Sequence, residues 1–401
     1  MSVTETMSRA HSHGAGTQKT LSSRADRPTS FDVNAIATPG GREEDWRFTP
    51  LRRIEALFDP ANYSGQDLPV KAEVPQPATY QVVDVDDQRC QPILAPGDRT
   101  AVVSWDRATS VHLVDIPAGA QVADPIVLQV ESDSEDVTSQ RIYVRCGENA
   151  EAVVLINHRG KAKLNQTVEI DAADEARLTV VSVHEWDDDA THASNHRMRA
   201  GANTQLRHIV VTLGGDLVRI CADTEFASPR GHIEMLGLYF VDEGQHLEHR
   251  PYIAHTQPNC YSRVTYKGAL QGKSAHSVWV GDCLIGRDAD GTDTYELNRN
   301  LVLTEGAKAD SVPNLEIENG EIEGAGHASA TGRFDDEQLF YLMSRGVSEM
   351  DARRLVVRGF FAELIQEIGI PQVQDHLMEA IEAELEAGGV LSEGLETEAG
   401  Q

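Results

Sequence analysis

The chain has 401 residues, with 64 acidic against 35 basic side chains and a formal net charge of −29. Phosphate backbones and anionic membranes are bound chiefly through Lys and Arg that release counterions, and no basic patch stands out, so neither nucleic acid nor membrane is expected as a partner. No apolar run approaches the roughly 20 residues that span a bilayer, no basic-then-apolar leader opens the chain, and Cys90, Cys146, Cys221, Cys260 and Cys283 show no C-x-x-C spacing; the expectation is a cytoplasmic protein with reduced, mostly buried thiols.

Residues 1–29 are rich in Ser, Thr, Gly and Ala, and such a segment buries too little surface to offset the entropy of ordering it. A disordered tail is expected there. A helical or mixed module is expected over residues 30–100. Within it, GGREEDWRFTPLRRIEALF (40–58) spaces Trp46, Phe48, Leu51, Ile54, Leu57 and Phe58 at helix-like intervals, with Pro50 starting or interrupting the helix.

From Ala101 to Ile317 short β-branched and aliphatic runs alternate with Gly, Ala, Asp and Asn. A small-residue turn followed by alternating apolar residues recurs as IPAGAQVADPIVLQV, GENAEAVVLI, DAADEARLTVV, GANTQLRHIVV, RGHIEMLGLYF and GKSAHSVWVGDCLI, the first five at intervals of roughly 26 to 32 residues. Each unit is too small to bury its own inward face, so stacking is favoured. The expected fold is mainly β, with a parallel β-helix (solenoid) core over 101–332 and a β-sandwich as the competing answer.

A helical domain is expected over 333–388. Asp335 or Asp336 is placed to cap a first helix carrying Leu339, Phe340 and Leu342, and Gly346 falls where a left-handed residue ends it. Ser348, with Asp351 three residues on, opens a second helix whose apolar face is read as Ala352, Leu355, Val356, Phe360, Leu364, Ile365 and Ile368; Gly369 and Pro371 close it. Val373, Leu377, Ile381 and Leu385 mark a third, and 389–401 form an acidic tail.

Few groups carry chemistry. His327 lies among small residues in EGAGHASATG, which leaves an accessible imidazole in what reads as a loop; hydrogen bonding and metal ligation are both open to it. His246, Glu248, His249 and His255 are dense in ligand-type atoms. On a strand, however, His246 and Glu248 face one side and His249 the other, so metal binding and structural hydrogen bonding stay open. His192 and His196, beside three aspartates, read as a solvated turn. Cys260 and Cys283 lack an activating base nearby in sequence and read as structural. Nucleotide-binding and hydrolase motifs are missing, so no enzyme is expected; the rival from that class is a β-solenoid carbohydrate-active lyase or hydrolase.

The segment PNLEIENGEIEGAGHASATGRFDDEQLFYLMSRGVSEMDARRLVVRGFF (313–361), the preceding NRNLVLTEGAKADSVPNLEIE and the upstream EEDWRFTPL resemble the SufB/SufD family of SUF iron–sulfur cluster assembly scaffolds. The resemblance implies a parallel β-helix that pairs with SufB as a heterodimer, or with itself when alone. It also implies that the C-terminal helices dock the ATPase SufC, with Phe340, Tyr341, Leu342, Arg345, Phe360 and Phe361 as anchors. No cofactor is expected to be stably held; iron or a nascent Fe–S cluster would be shared transiently with SufB at His327. Where relatives carry Cys and Ser before the histidine, this chain has Ala325 and Gly326. A thiolate is the usual ligand of an assembling cluster, so its absence points to the SufD branch and to a site completed by a partner's cysteine.

Overall fold

The structure is a computed structural model that describes residues 24–334 and 336–387. The tail expected over 1–29 lies outside the described residues up to position 23; the expected cap Asp335 and the acidic tail over 389–401 lie outside them entirely.

The described residues form a parallel β-solenoid, not a sandwich. Its opening strands are β1 Val70–Glu73, β2 Thr79–Val83, β3 Val111–Ile116 and the long β4 Ile126–Cys146 and β5 Glu151–Ala172. The coils follow as β6 Arg177–Trp186, β7 Thr191–Ala200, β8 Gln205–Thr212, β9 Leu217–Phe226, β10 His232–Val241 and β11 His246–His255. The last are β12 Tyr261–Leu270, β13 His276–Ile285, β14 Asp293–Val302, β15 Lys308–Ile317 and β16 Gly324–Arg333. From β5 on, each strand pairs in parallel with the strand two places further along, so even-numbered and odd-numbered strands make two facing stacks. Thr191 pairs with Leu217, 26 residues on, and Tyr261 with Asp293, 32 residues on. The coil length is the interval read from the repeats.

β5 joins the two stacks, pairing with β6 through residues 151–160 and with β7 through 163–172. At the bend Gly160 has φ +86°, and a β-carbon there would lie 2.2 Å from the Ser132 carbonyl oxygen. Only glycine fits. One corner of each coil is turned by a left-handed residue: Asn149, Glu175, Asn203, Arg230, Asn259 and then Gly291. Each donates its N–H to a carbonyl of the next coil, as Asn149 does to Asp174 and Glu175 to Ala202, so the hydrogen-bond ladder continues through the corner.

Both outer flanks are covered. Helices α1 Leu51–Ile54 and α2 Arg99–Arg107, with the chain around them, lie on the odd-numbered stack. Pro50 stands directly before α1, and Trp46, Ile54, Leu57 and Phe58 are buried. On the even-numbered stack, α3 Asp336–Ser344, α4 Glu349–Ile368 and α5 Pro371–Ala387 follow the last coil. α4 begins where Ser348 Oγ accepts the Asp351 N–H at 3.1 Å and ends at left-handed Gly369. Val357, Phe361, Leu364, Ile365 and Ile368 of α4 and Val373, Leu377, Ile381 and Leu385 of α5 pack on Val183, Val211, Leu238 and Phe240 of β6, β8 and β10. The apolar face of α4 is thus rotated from the expected one: Leu355 is exposed and Val357 and Phe361 take the seam, because that is the side turned toward β6, β8 and β10. Among the described residues no helix is long and apolar enough to cross a membrane.

Candidate functional site

With both flanks covered, the end of the coil is left open. β15 pairs only with β13 and β16 only with β14 among the described strands, so each presents an unpaired edge. His327 sits on β16, on a strand and not in the expected loop, and is exposed. In the β14–β16 ladder it is the register partner of Glu296, as Ala325 is of Thr294 and Ser329 of Asn298. Thr294, Glu296 and Asn298 are buried inside the coil, so His327 prolongs the inward-facing row beyond the last covered turn.

Glu296 is 1% exposed, and neither carboxyl oxygen has a hydrogen-bond partner among the described residues. Burial, reinforced by Asp282, pushes its carboxyl up to about 8. Across the interior, Cys283 Sγ lies 3.5 Å from Thr294 Oγ1, and burial followed by the charge of Glu296 pushes the thiol up to about 12. Burial likewise raises Cys260. Both thiols are protonated and poor nucleophiles. A cleft of about 1340 Å³ runs from Arg24 and Trp46, past Arg250 and Asp282, to Cys283 and His327. Arg24 bridges Asp223 and Asp282 across it.

The histidines of β11 are held in hydrogen bonds on both faces of the strand. His246 and Glu248 point to the outer side of β11 and His249 and His255 to the inner, as strand alternation requires. Burial alone would raise Glu248, but Arg219 (3.2 Å), His246 (3.2 Å) and Arg250 (3.1 Å) hold it well below the usual carboxylate range; Thr49 Oγ1 also donates to it at 2.7 Å. Arg219 in turn lies 4.0 Å under the Trp46 ring. The network fastens the N-terminal segment to the sheet. His249 Nε2 is 2.9 Å from Thr212 Oγ1, and its ring stacks on Tyr239.

His192 and His196 are corrected from turn to core. Both lie on β7, buried and facing inward, because the solenoid interior holds a polar row that a loop-like composition conceals. Ligand atoms of His158, His184 and His192 come within 4.8 Å of one another. Hydrogen bonds nevertheless occupy the lone pairs of His158 and His192. His158 Nδ1 donates to the Val183 carbonyl at 2.9 Å and its Nε2 accepts from Gln166 Nε2 at 3.0 Å. Trp186 Nε1 donates to His192 Nδ1 at 3.0 Å, which places the His192 proton on Nε2, the unpartnered atom. Burial, strongest of the causes, lowers all three and keeps them neutral.

On the helical flank Phe340 (74%) and Tyr341 (57%) are exposed, with the Arg345 guanidinium 5.2 Å from the Tyr341 ring. Leu342 and Phe360 are half-buried. Phe361 is fully buried in the seam, so it belongs to the fold and not to a free docking face. Met343, which sequence reading did not single out, and Leu355, which it placed on the buried face of α4, are exposed as well. It also missed Glu296, because the alternation in TYELNRNLV puts the apolar Tyr295, Leu297 and Leu301 on the opposite face and so reads Glu296 as outward.

The described residues form a parallel solenoid with an accessible imidazole at an unpaired end and exposed aromatics on its helical flank. Residues 128–360 match the family model described as SUF system FeS cluster assembly, SufBD core domain. An iron–sulfur cluster assembly SufBD family protein of Mycobacterium tuberculosis is 51% identical over 366 residues, covering 89% of this chain and 92% of that protein. One from Mycobacterium leprae is 49% identical over 363 residues (89% and 93%), and the iron–sulfur cluster assembly protein SufD of Escherichia coli is 23% identical over 384 residues (87% and 90%). The chain belongs to the SufB/SufD family of the SUF iron–sulfur cluster assembly system.

Proposed function

We propose that the chain is a non-catalytic scaffold subunit of SUF cluster assembly that pairs with SufB across the open end of its solenoid and docks SufC on its helical flank. The observation that carries this reading is the position of His327: an accessible imidazole on the last strand, beside two unpaired parallel edges and exposed Ile317. An exposed edge invites strand addition, and a partner seated there would bring its own side chains to His327. Because Ala325 and Gly326 supply no thiolate, soft ligands would come from that partner. Iron or the nascent cluster is cargo at this seam, and without the partner the same edge suits a second copy of the chain. The exposed Phe340, Tyr341 and Arg345 group suits a protein contact of the aromatic and Arg type. The setting is expected to be cytoplasmic.

Co-expression with candidate partners tests the two surfaces separately. Ile317→Glu should release the cysteine-bearing paralogue while the ATPase is retained; Phe340→Ala with Tyr341→Ala should do the reverse. If neither variant changes what co-purifies, the assignment of these surfaces is wrong.

A further inference from the structure

Glu296 makes no side-chain hydrogen bond that ties the fold together among the described residues. Its two oxygens are buried without partners among the described residues, whereas Glu248, also buried at the sheet, is saturated by Arg219, Arg250, His246 and Thr49. A buried polar group left unmatched is a net cost to folding, and an apolar side chain of the same length would fill the slot without it. Across the interior stands Gly281, where a β-carbon would meet the Trp279 ring at 2.3 Å and come within 3.0 Å of Glu296 Oε2. On the neighbouring strand stands the register partner of Glu296, which is His327.

Register partners on neighbouring strands are about 4.8 Å apart and point the same way, so one ion between them can be reached by both side chains. An imidazole nitrogen with a carboxylate oxygen is a donor set for first-row divalent cations such as Fe(II), and a cation beside Glu296 would supply the partner its oxygens lack. We propose that Glu296 and His327 together form this chain's own half of a ferrous-ion site at the open end of the solenoid, with the remaining positions left to water or to a partner subunit. The proposal rests on reading His327 as the residue that meets iron at the seam, and it adds a hard oxygen ligand to it. Cys283 is no part of the set: its protonated thiol is engaged with Thr294.

The test uses the full chain purified alone under anaerobic conditions and titrated with Co(II), followed by its visible ligand-field bands and by competition with Fe(II). One Co(II) per chain is expected for the wild type. Glu296→Gln and His327→Ala should each weaken binding at least tenfold, in the range seen when metal-site partners are removed. Glu296→Met removes the oxygens while keeping the slot filled, and it should weaken Co(II) equally with an unchanged or raised melting temperature. Absence of Co(II) binding by the wild type, or wild-type affinity in both Glu296 variants, overturns the proposal. Cluster formation by the assembled complex carrying His327→Ala is measured separately: unaffected Co(II) binding in the Glu296 variants with lost cluster formation in His327→Ala removes Glu296 alone, whereas normal cluster formation removes the His327 reading beneath it.

Discussion

Tyr239 on β10 lies over Gly268 on β12, its register partner, so closely that a β-carbon at residue 268 would be 1.8 Å from the ring. Tyr266 covers Gly237 in the reciprocal way. Passing over a glycine lets the Tyr239 hydroxyl reach β14, where it donates to Asn300 Oδ1 at 2.5 Å and accepts from Asn298 Nδ2 at 3.0 Å. The interior is thereby tied to the coil that carries Glu296. Gly268→Ala forces the ring aside, and overpacking of this kind costs about 1–3 kcal/mol. Tyr239→Phe keeps the ring but leaves the buried Asn300 Oδ1 without its donor, at about 1–3 kcal/mol. Urea unfolding midpoints should fall for both, and an unchanged midpoint in Gly268→Ala would mean that the ring is not held there.

Stability should fall on the acid side. The ordinary histidine value is 6.5, but burial lowers His158 to about 4 and His208, His249 and His255 to about 3. Below pH 6.5 the unfolded chain takes up protons that the folded chain refuses, so stability is lost as pH drops from 6.5 toward 3. Each such group contributes up to about 1.4 kcal/mol per pH unit. Glu296 and Glu384, pushed up to about 8 by burial, act with the opposite sign between about 4.5 and 8, but the buried histidines outnumber them. Thermal melts at pH 7, 6 and 5 should step downward; a flat series would show that these rings are protonated within the fold.

Two aromatic neighbours on α4 and α3 should behave differently. Phe361→Ala opens the seam between helix and sheet and should cost about 3–5 kcal/mol. Phe340→Ala, on a side chain 74% exposed, should leave the melting temperature within a degree or two while weakening ATPase capture. Calorimetry paired with pull-down separates the two effects.

Glu248→Gln leaves Arg219 and Arg250 facing each other without their shared carboxylate. Removing one partner of a buried ion network costs about 3–5 kcal/mol. Because Thr49 and Trp46 belong to the same network, the loss should be local: limited proteolysis is expected to cut residues 40–58 faster than in the wild type. Equal cleavage rates would separate the network from the anchoring of this segment.

The solenoid was legible because its coil length is written in the sequence as a recurring turn, and Ser348, Gly346 and Gly369 mark helix ends by local chemistry alone. The split of His246 and Glu248 from His249 followed from strand alternation. What stayed hidden depends on which side of a strand is inside. In β7 the row His192, Ser194 and His196 faces inward, so a polar pattern that reads as solvated is core; Glu296 is concealed in the same way. Phe361 was misplaced because the sequence does not say which face of α4 the sheet will take. The N-terminal ion network is equally silent, since Thr49 and Glu248 are 199 residues apart.

His327 is proposed to meet cargo at the seam between subunits. The most direct test is anaerobic cluster formation by the purified complex of this chain with its cysteine-bearing paralogue and ATPase, with wild-type or His327→Ala chain, followed by visible absorption and bound iron and sulfide. The variant complex should assemble with the same composition and lose most of its cluster formation. Cluster yield and rate equal to wild type in an intact His327→Ala complex would contradict it.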